Sequence, residues 1–259
     1  MIDQSAVFES LVQAIYEAIL TRGDIAIDVG AHVGRHTIPM ATKVRPNGQV
    51  FAFEPLPMCR AMLKEQLTKQ HGELAKVITT YSYALSDYDG EAEFVLSIDA
   101  LAYSGLKRRV YDTPTRLDRM PVMVRKLDSL FLDLPSLKYI KIDAEGGEFH
   151  VLKGTIQCLR KFRPLITFEF GANSISEYGI TPADMAVLLA SAQYKVYDIR
   201  GRHLSRSGFV QSAIVQDVWD YIAIPSENGA FEEAVLSTIR VHAAECDHAA
   251  RSHSTEKPG

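Results

Sequence analysis

The sequence predicts one α/β domain built on a mostly parallel sheet of seven strands. From residue 24 onward, short segments rich in β-branched and aromatic residues alternate with helix-length stretches, which is typical of βαβ units. The 259 residues, 47% of them hydrophobic, suffice for a continuous core. We expect a capping helix over residues 1–23, the domain itself over 24–225, and a helix with a polar tail over 226–259.

The elements follow in order along the chain. Apolar residues at helical spacing between Val7 and Ile19 predict an amphipathic helix that ends near Gly23. Seven strands are then predicted, in the segments IAIDV, QVFAFE, KVITTY, YIKID, PLITFEF, KVYDI and DVWDYIAIP. Between the third and fourth, EAEFVLSI and MPVMVRKL alternate like an inserted antiparallel β-ribbon around a polar loop at residues 98–120.

The C-terminal part of the sequence departs from the βαβ pattern. The last two predicted strands follow each other with no helical segment between them, so we expect an antiparallel hairpin at the sheet edge. Residues 229–245 regain helical spacing, and the polar end after them is expected to fray.

Composition and charge restrict the partners and the compartment. A formal net charge of −4 provides no global positive field, which disfavours nucleic acid as a partner. The three cysteines, Cys59, Cys158 and Cys246, are far apart and predict neither a disulfide framework nor a zinc site. No signal peptide and no membrane span are predicted, so we expect a cytoplasmic location.

A glycine-containing turn follows the first predicted strand, in IAIDVGAHVGRHT. Asp28 ends the strand, Gly30 permits a tight turn, and Gly34 permits close helix packing while a ligand approaches backbone N–H groups. Glu54 ends the second strand, where a carboxylate can accept hydrogen bonds from two ribose hydroxyls. The turn and the acid together predict a nucleoside site.

The spacing of this turn distinguishes between nucleoside ligands. It reads D-x-G-x-x-x-G, whereas dinucleotide-binding folds use G-x-G-x-x-G to seat a pyrophosphate. A carboxylate at Asp28 suits the ammonium or sulfonium of S-adenosylmethionine better than it suits a pyrophosphate. The expected terminal hairpin also favours a methyltransferase sheet over a dehydrogenase sheet.

Five segments stand in the order found in the FkbM-type methyltransferases, namely DVGAHVGRHT, FEPLP, YALSD, IKIDAEGGE with VLKG, and RPLITFEF. The sequence resembles this family from about Asp24 to Phe170, and more loosely to Pro225. The resemblance implies a Rossmann-like class I fold that uses S-adenosylmethionine to methylate hydroxyl oxygens of sugars, glycans or secondary metabolites. It also implies cofactor contacts from a set of residues in the turn, the second strand and YALSD: Asp28, Gly30, His32, Gly34, Glu54, Ala84, Leu85 and Ser86. At His32 the family more often has asparagine.

Carboxylates crowd the end of the fourth predicted strand, in KYIKIDAEGGEFHVLKG. Lys141 and Asp143 point to the same face of this strand. Because parallel sheets bind ligands at the carboxyl ends of their strands, we expect Asp143, Glu145 and Glu148 beside Glu54 and Asp28 at the cofactor site. Lys141 should pair with one of these acids, since an unpaired buried ammonium is unfavourable. A purely structural ion-pair network is the alternative interpretation.

Methyl transfer to an alcohol requires a group that accepts the hydroxyl proton. Glu145 and Asp143 are the first candidates for this base, and Asp143 is also a candidate cofactor contact; His32 and His36 are the second candidates. The two histidines could share a metal, but without a third ligand they are better explained as polar helix-start residues. A divalent ion held by Asp143 and Glu145 stays open, and no metal ligand is assigned.

The acceptor is expected to be a small molecule or a glycan with a free hydroxyl. We assign Glu148 and Glu169, at strand ends, and Tyr103 and Arg108, in the ribbon loop, to the substrate, because aromatic faces and cations recognise sugars or anionic groups. The same loop carries the further cations Lys107, Arg109 and Arg116. Solvated residues at Glu169 and in the loop are the alternative. Two other functions stay open: a nicotinamide-dependent oxidoreductase, and a cofactor-binding scaffold module without turnover.

Overall fold

The structure, a computed structural model, describes residues 3–110 and 114–254, with side chains described as far as residue 244. Its helices are α1 (Gln4–Ile19), α2 (Thr37–Val44), α3 (Pro57–Gln70), α4 (Leu127–Phe131), α5 (Glu148–Lys153), α6 (Ile156–Phe162), α7 (Pro182–Ser191), α8 (Arg206–Val215) and α9 (Gly229–Ser254). Its strands are β1 (Ile25–Val29), β2 (Gln49–Phe53), β3 (Ile78–Tyr81), β4 (Ala84–Leu85), β5 (Gly90–Ser97), β6 (Leu117–Arg125), β7 (Tyr139–Ile142), β8 (Leu165–Glu169), β9 (Tyr194–Asp198), β10 (His203–Leu204) and β11 (Asp220–Pro225).

The main sheet has the strand order β10-β9-β11-β8-β7-β1-β2-β3 within the described residues. β1, β2, β3, β7 and β8 run parallel, and every residue of β1 and β7 is buried. Burial on both faces explains why these central strands read as continuous apolar runs rather than alternating ones. The mostly parallel α/β fold is confirmed, with one addition: the two-residue β10 makes an eighth strand, paired antiparallel with β9.

The predicted C-terminal hairpin is correct in its antiparallel pairing but wrong in its connection and position. α8 separates β9 from β11, and β11 lies inside the sheet, antiparallel to both β8 and β9. The helix was missed because Gly208 suggested a loop. Instead Gly208 occupies the first turn, where its N–H donates to Ser205 Oγ at 3.1 Å, and Phe209 and Ala213 bury the inner face of the helix.

The inserted ribbon is present as predicted. β5 and β6 pair antiparallel along their length, and β4 adds a short third strand parallel to β6. The ribbon has a small core of its own, in which Phe94 and Val124 pack with Leu56 and Cys59 at the start of α3. This packing fixes the ribbon against the end of β2, on one side of the main sheet's carboxyl edge.

The two terminal helices pack against each other. Ser10 Oγ of α1 and His242 Nε2 of α9 lie 2.9 Å apart, and the rings of Phe8 and Trp219 are 4.9 Å apart between centroids. α9 continues to Ser254, so the segment expected to fray is helical that far, in keeping with its content of good helix formers. Among the described residues, each helix is too short or too polar to cross a membrane. The division of the chain into three regions stays a prediction.

Candidate functional site

A cavity of about 280 Å³ lies at the carboxyl ends of β1, β2 and β7, with the ribbon on its other side. Its apolar lining includes Leu56, Tyr83, Ala84, Leu85, Phe94, Leu101 and Leu106. Its polar lining includes Glu9, His32, Arg35, His36, Glu54, Lys141, Asp143 and Glu145. The apolar residues come mainly from the ribbon side, and the charged residues come from the strand ends and from α1.

The turn after β1 joins two neighbouring strands. The N–H groups of Gly30 and Ala31 both donate to the carbonyl oxygen of Phe53 at 3.0 Å, at the end of β2. Gly30 has φ 78°, and a Cβ added there would lie 1.9 Å from the carbonyl oxygen of Asp143, just after β7. Only glycine fits this approach, so the tight turn predicted from the sequence is present.

Gly34 serves helix packing rather than the cavity. Its φ is 94°, and an added Cβ would lie 2.4 Å from Leu63 Cδ1 of α3. Gly34 is absent from the cavity lining. The predicted cofactor contact at Gly34 is therefore not supported by its position, because the close approach here is to a neighbouring helix.

Glu54 lies one residue beyond β2 and faces the cavity. Its Oε2 accepts a hydrogen bond from His32 N–H at 2.8 Å, and its Oε1 accepts one from Leu56 N–H at 2.7 Å. Burial raises the pKa of Glu54 to about 6, although the two backbone hydrogen bonds and the nearby Arg60 oppose the rise. Each carboxylate oxygen keeps a second acceptor position, so Glu54 can still bind two hydroxyls.

Asp28 does not face the cavity, in contrast to the prediction. Its side chain is buried, Oδ2 accepts a 2.6 Å hydrogen bond from Thr37 Oγ1, and Oδ1 has no hydrogen-bond partner. Asp28 lies within β1, in register with Lys141 of β7, and is absent from the cavity lining. Among the acids of the two strand ends, Asp143 takes the position beside the cavity that we had assigned to Asp28.

Lys141 is buried and paired, as predicted. Its Nζ lies 3.2 Å from Asp143 Oδ2. Burial alone would lower the pKa of Lys141, but the carboxylates of Asp143, Asp28 and Glu9 hold it above its ordinary value. The internal cation therefore stays charged between several acids.

Glu145 lies in the turn after β7, in a left-handed backbone conformation with φ 51°. Its carboxylate forms an ion pair with the Arg109 guanidinium, which comes from the ribbon loop. Burial, followed by the charge of Asp143, raises the pKa of Glu145 to about 8, against the opposing effect of Arg109. A carboxyl group with such a pKa can accept a proton near neutral pH.

The side chain of Glu148 is buried and stabilises this turn through hydrogen bonds. It does not line the cavity, so its position gives no support to the predicted contact with substrate. Its Oε1 accepts hydrogen bonds from Ala144 N–H at 2.8 Å and Gly146 N–H at 3.0 Å, while Oε2 has no hydrogen-bond partner. Burial raises its pKa to about 7. At the first position of α5, the side chain turns back onto the loop instead of pointing into the cavity.

The other predicted contacts divide between the cavity and its surroundings. Ala84 and Leu85 line the cavity, whereas Ser86 is buried and donates its N–H to the Arg125 carbonyl outside the lining. Glu169 lies in a small adjoining cleft, together with Asp220. This cleft shares Glu9, Lys141 and Asp143 with the main cavity.

The loop of the ribbon reaches the site through Arg109. The Arg109 guanidinium lies 4.6 Å from the ring centroid of Tyr103, which is itself exposed. Arg108, which we had assigned to the substrate, is exposed and is absent from the cavity lining. Of the two consecutive arginines, Arg109 is the one whose guanidinium contacts a residue of the cavity lining, Glu145.

The two histidines of the turn do not converge. His32 lines the cavity, with φ 46°. His36 is buried, with Nε2 2.5 Å from Glu9 Oε2 and Nδ1 3.2 Å from the Tyr16 hydroxyl, so both ring nitrogens are engaged. Within the described ranges, no group of three or more histidine, cysteine or acidic side chains is arranged to hold a metal ion.

Sequence reasoning missed Glu9 as a residue of the site, and it named Arg109 only as one of several cations of the ribbon loop. Glu9 lies on α1, which we expected only to cap the domain, yet its carboxylate lines the cavity. One signal was available: Glu9 shares a helical face with Val12 and Tyr16, so it places an acid on a stripe that is otherwise apolar.

Comparisons with known proteins match this chain to methyltransferases. The family model described as Methyltransferase FkbM domain matches residues 28–196. The hexuronic acid methyltransferase AglP of Haloferax volcanii is 28% identical over 172 residues, which are 66% of this chain and 63% of that protein. The chain thus spans less than two thirds of that relative's length.

Two solved structures illustrate the structural similarity. The methyltransferase FkbM from Methylobacillus flagellatus has a TM-score of 0.48 and 15% identity, covering 85% of this chain and 58% of that chain. The O-methyltransferase TomG from Streptomyces achromogenes has a TM-score of 0.47 and 12% identity, covering 87% of this chain and 82% of that chain.

Proposed function

Since this chain belongs to the FkbM methyltransferase family, we propose that it transfers a methyl group from S-adenosylmethionine to a hydroxyl oxygen of a sugar, glycan or secondary metabolite. The observation that carries the proposal is Glu54, a carboxylate held by two backbone N–H groups at a strand end with its remaining acceptor positions toward the cavity. Such a group suits a ribose diol.

The lining of the cavity fits the other parts of the cofactor. Ala84, Leu85 and Phe94 offer apolar surface for an adenine ring, and Asp143 offers negative charge for a cationic end. The cofactor supplies an electrophilic methyl group on a sulfonium. The chain's contribution is to hold the acceptor oxygen in line with that group and to keep water out.

Glu145 is the residue we propose as the base. Its contact with Arg109 uses Oε2, which leaves Oε1 to accept the proton of an acceptor hydroxyl. We prefer Glu145 to Asp143 for this role because burial raises the pKa of Glu145 to about 8, so its carboxylate binds a proton more tightly than an ordinary one. We therefore propose that Asp143 contacts the cofactor and that Glu145 receives the proton.

The experiment is a transfer assay with methyl-labelled S-adenosylmethionine and a panel of hexuronic acids, neutral sugars, glycans and hydroxylated metabolites. Mass spectrometry locates the label, and alkaline treatment separates methyl esters from stable methyl ethers. Label in an alkali-stable ether supports the proposal, while label only in an ester or an amine contradicts hydroxyl transfer. The AglP relative, whose name gives a hexuronic acid substrate, supports including sugar acids.

A binding measurement separates the two other functions. Calorimetric titration with S-adenosylhomocysteine and with NADH would replace the proposal by an oxidoreductase if the dinucleotide bound more tightly. Tight binding of S-adenosylhomocysteine without transfer to any member of the panel would favour a scaffold module.

A further inference from the structure

Glu9 of α1 stands outside residues 28–196, the part of the chain that matches the family, and it still forms part of the cavity wall. His36 Nε2 lies 2.5 Å from Glu9 Oε2, and Arg35 Nε lies 3.5 Å from the same oxygen. Both contacts use Oε2, which leaves Oε1 to accept a hydrogen bond from a ligand.

The Glu9 carboxylate is charged under ordinary conditions. Burial alone would raise its pKa, but the contact with His36 and the positive charges of Lys141 and Arg35 lower it to about 2. The side chain keeps 31% of its surface exposed, so it is accessible from the cavity. A fixed negative charge in a cavity wall attracts a cationic ligand group.

Two ion pairs of the cavity lining lie near each other, because Glu9, Lys141 and Asp143 all border both the main cavity and the adjoining cleft. Glu9 pairs with Arg35, and Lys141 pairs with Asp143. Other parts of the lining are apolar and come from the ribbon side, among them Phe94. A ligand that matches both kinds of surface carries an apolar ring together with an ammonium and a carboxylate.

We propose that Glu9 and Arg35 form a subsite for the α-amino acid end of the cofactor, with Glu9 toward the ammonium and Arg35 toward the carboxylate. This inference rests on the proposed function. It assigns a binding role to α1, which then selects ligands with a complete amino acid end over nucleosides that lack one. The alternative is that the Glu9 contacts only fasten α1 to the turn after β1.

Two adenosyl ligands test the subsite by calorimetry. S-adenosylhomocysteine carries the amino acid end, and 5′-methylthioadenosine lacks it. We expect Glu9→Gln to weaken S-adenosylhomocysteine binding about tenfold, the size of one charge-assisted hydrogen bond, and to change methylthioadenosine binding less than about twofold. Arg35→Gln should act in the same way, and its side chain is 57% exposed, so its replacement leaves the fold intact.

The matched control is Glu17→Gln on the same helix, where Glu17 accepts a hydrogen bond from Gln13 and does not line the cavity. It should change neither affinity, and melting temperatures verify that each variant is folded. Equal weakening of both ligands in the Glu9 and Arg35 variants overturns the subsite and favours a fastening role. Unchanged affinities overturn it as well. Failure of the unmodified protein to bind S-adenosylhomocysteine would instead reject the proposed function itself.

Discussion

The turns after β2 and after β7 both place an acid, buried Glu54 and partly buried Glu145, at the same cavity, but they hold it differently. Glu54, after β2, is fixed by N–H groups of the main chain, from His32 and Leu56. Glu145, after β7, is fixed by the side chain of Arg109, which belongs to the ribbon loop. Main-chain donors cannot move away without breaking the turn, whereas an arginine side chain can change its partner.

From this difference we expect the two turns to bind different kinds of ligand. The Glu54 turn is suited to a constant ligand, because its donors persist through any side-chain change that keeps the turn. The Glu145 turn is suited to a variable ligand, because its partner lies in an insertion that can differ in length and sequence. We therefore expect changes near Glu54 to affect cofactor affinity and changes near Glu145 to affect turnover and its pH dependence.

The largest effect is expected where the two turns meet, at Gly30. Gly30→Ala places a Cβ 1.9 Å from the Asp143 carbonyl oxygen at a φ of 78°, so the free energy of unfolding should fall by at least about 3 kcal/mol. Urea unfolding measures this loss. The matched control is Gly72→Ala, since an added Cβ there has no neighbour within 4 Å, and it should stay within about 0.5 kcal/mol. Equal stability of the two variants would show that the turns do not depend on this contact.

The second-largest effect is expected when the acids of the two turns are replaced one at a time. Glu54→Gln keeps one carbonyl oxygen for two backbone donors and removes the charge from the cavity, so affinity for S-adenosylhomocysteine should fall about 100-fold. Glu145→Gln should leave this affinity within about threefold while it lowers turnover. Calorimetry and a single-turnover assay measure the two quantities. If both variants lost affinity alike, the expectation that only the Glu54 turn determines cofactor affinity would be wrong.

A smaller effect is expected at the turn after β7, where one carboxylate oxygen of Glu148 accepts hydrogen bonds from two backbone N–H groups. Burial raises its pKa to about 7, so the folded state binds a proton more tightly than the unfolded state. The resulting stabilisation is complete below the unfolded pKa, near 4.5, and is lost as the pH rises through 7.

Glu148→Gln removes this proton linkage. The decline in the free energy of unfolding between pH 5 and pH 8 should become smaller by about 2 kcal/mol, as measured by urea unfolding at several pH values. Glu93→Gln, on an exposed part of the ribbon, should keep the decline of the unmodified protein. A Glu148→Gln variant with an unchanged slope would mean that its carboxyl group does not titrate in this range.

The smallest expected effect is at Arg109. Removing the guanidinium in Arg109→Gln takes away a charge that lowers the pKa of Glu145, so that pKa should rise further above 8. Because the base must be deprotonated, the rise of kcat with pH should move upward by about one pH unit. Arg108→Gln is the adjacent control and should leave the pH profile unchanged. If Arg108→Gln shifted the profile and Arg109→Gln did not, Arg108 would be the arginine of the loop that acts at the site.

The sequence predicted the main sheet well because strand patterns and turn residues are local. The segments of all seven predicted strands are present, and Lys141 pairs with one of the acids at this edge of the sheet, as predicted. Its partner is Asp143, which the pattern predicts on the same face. Glu54 was located correctly for a related reason: it lies just beyond β2, where a side chain is free to face the cavity.

The misplaced residues depend on details that a pattern does not contain. Asp28 lies inside β1 rather than beyond it, and its carboxylate accepts a hydrogen bond from Thr37 of α2, a contact that the strand pattern does not predict. Glu148 was assigned to the substrate, but its Oε1 accepts hydrogen bonds from the backbone N–H groups of Ala144 and Gly146. Glu9 and Arg109 meet the site only through folding of distant segments. Helical spacing places Glu9 on the buried face of α1, but it does not identify what that face contacts.

The position of β11 has a consequence for folding during synthesis. This strand is made last among the strands of the sheet, yet it fills the gap between β8 and β9. A nascent chain therefore cannot complete its sheet until Pro225 has left the ribosome. Until then β8 presents an open edge of unpaired backbone groups, which can template pairing with another chain. Synthesis that stalls before Asp220 would produce an aggregation-prone intermediate that depends on chaperones.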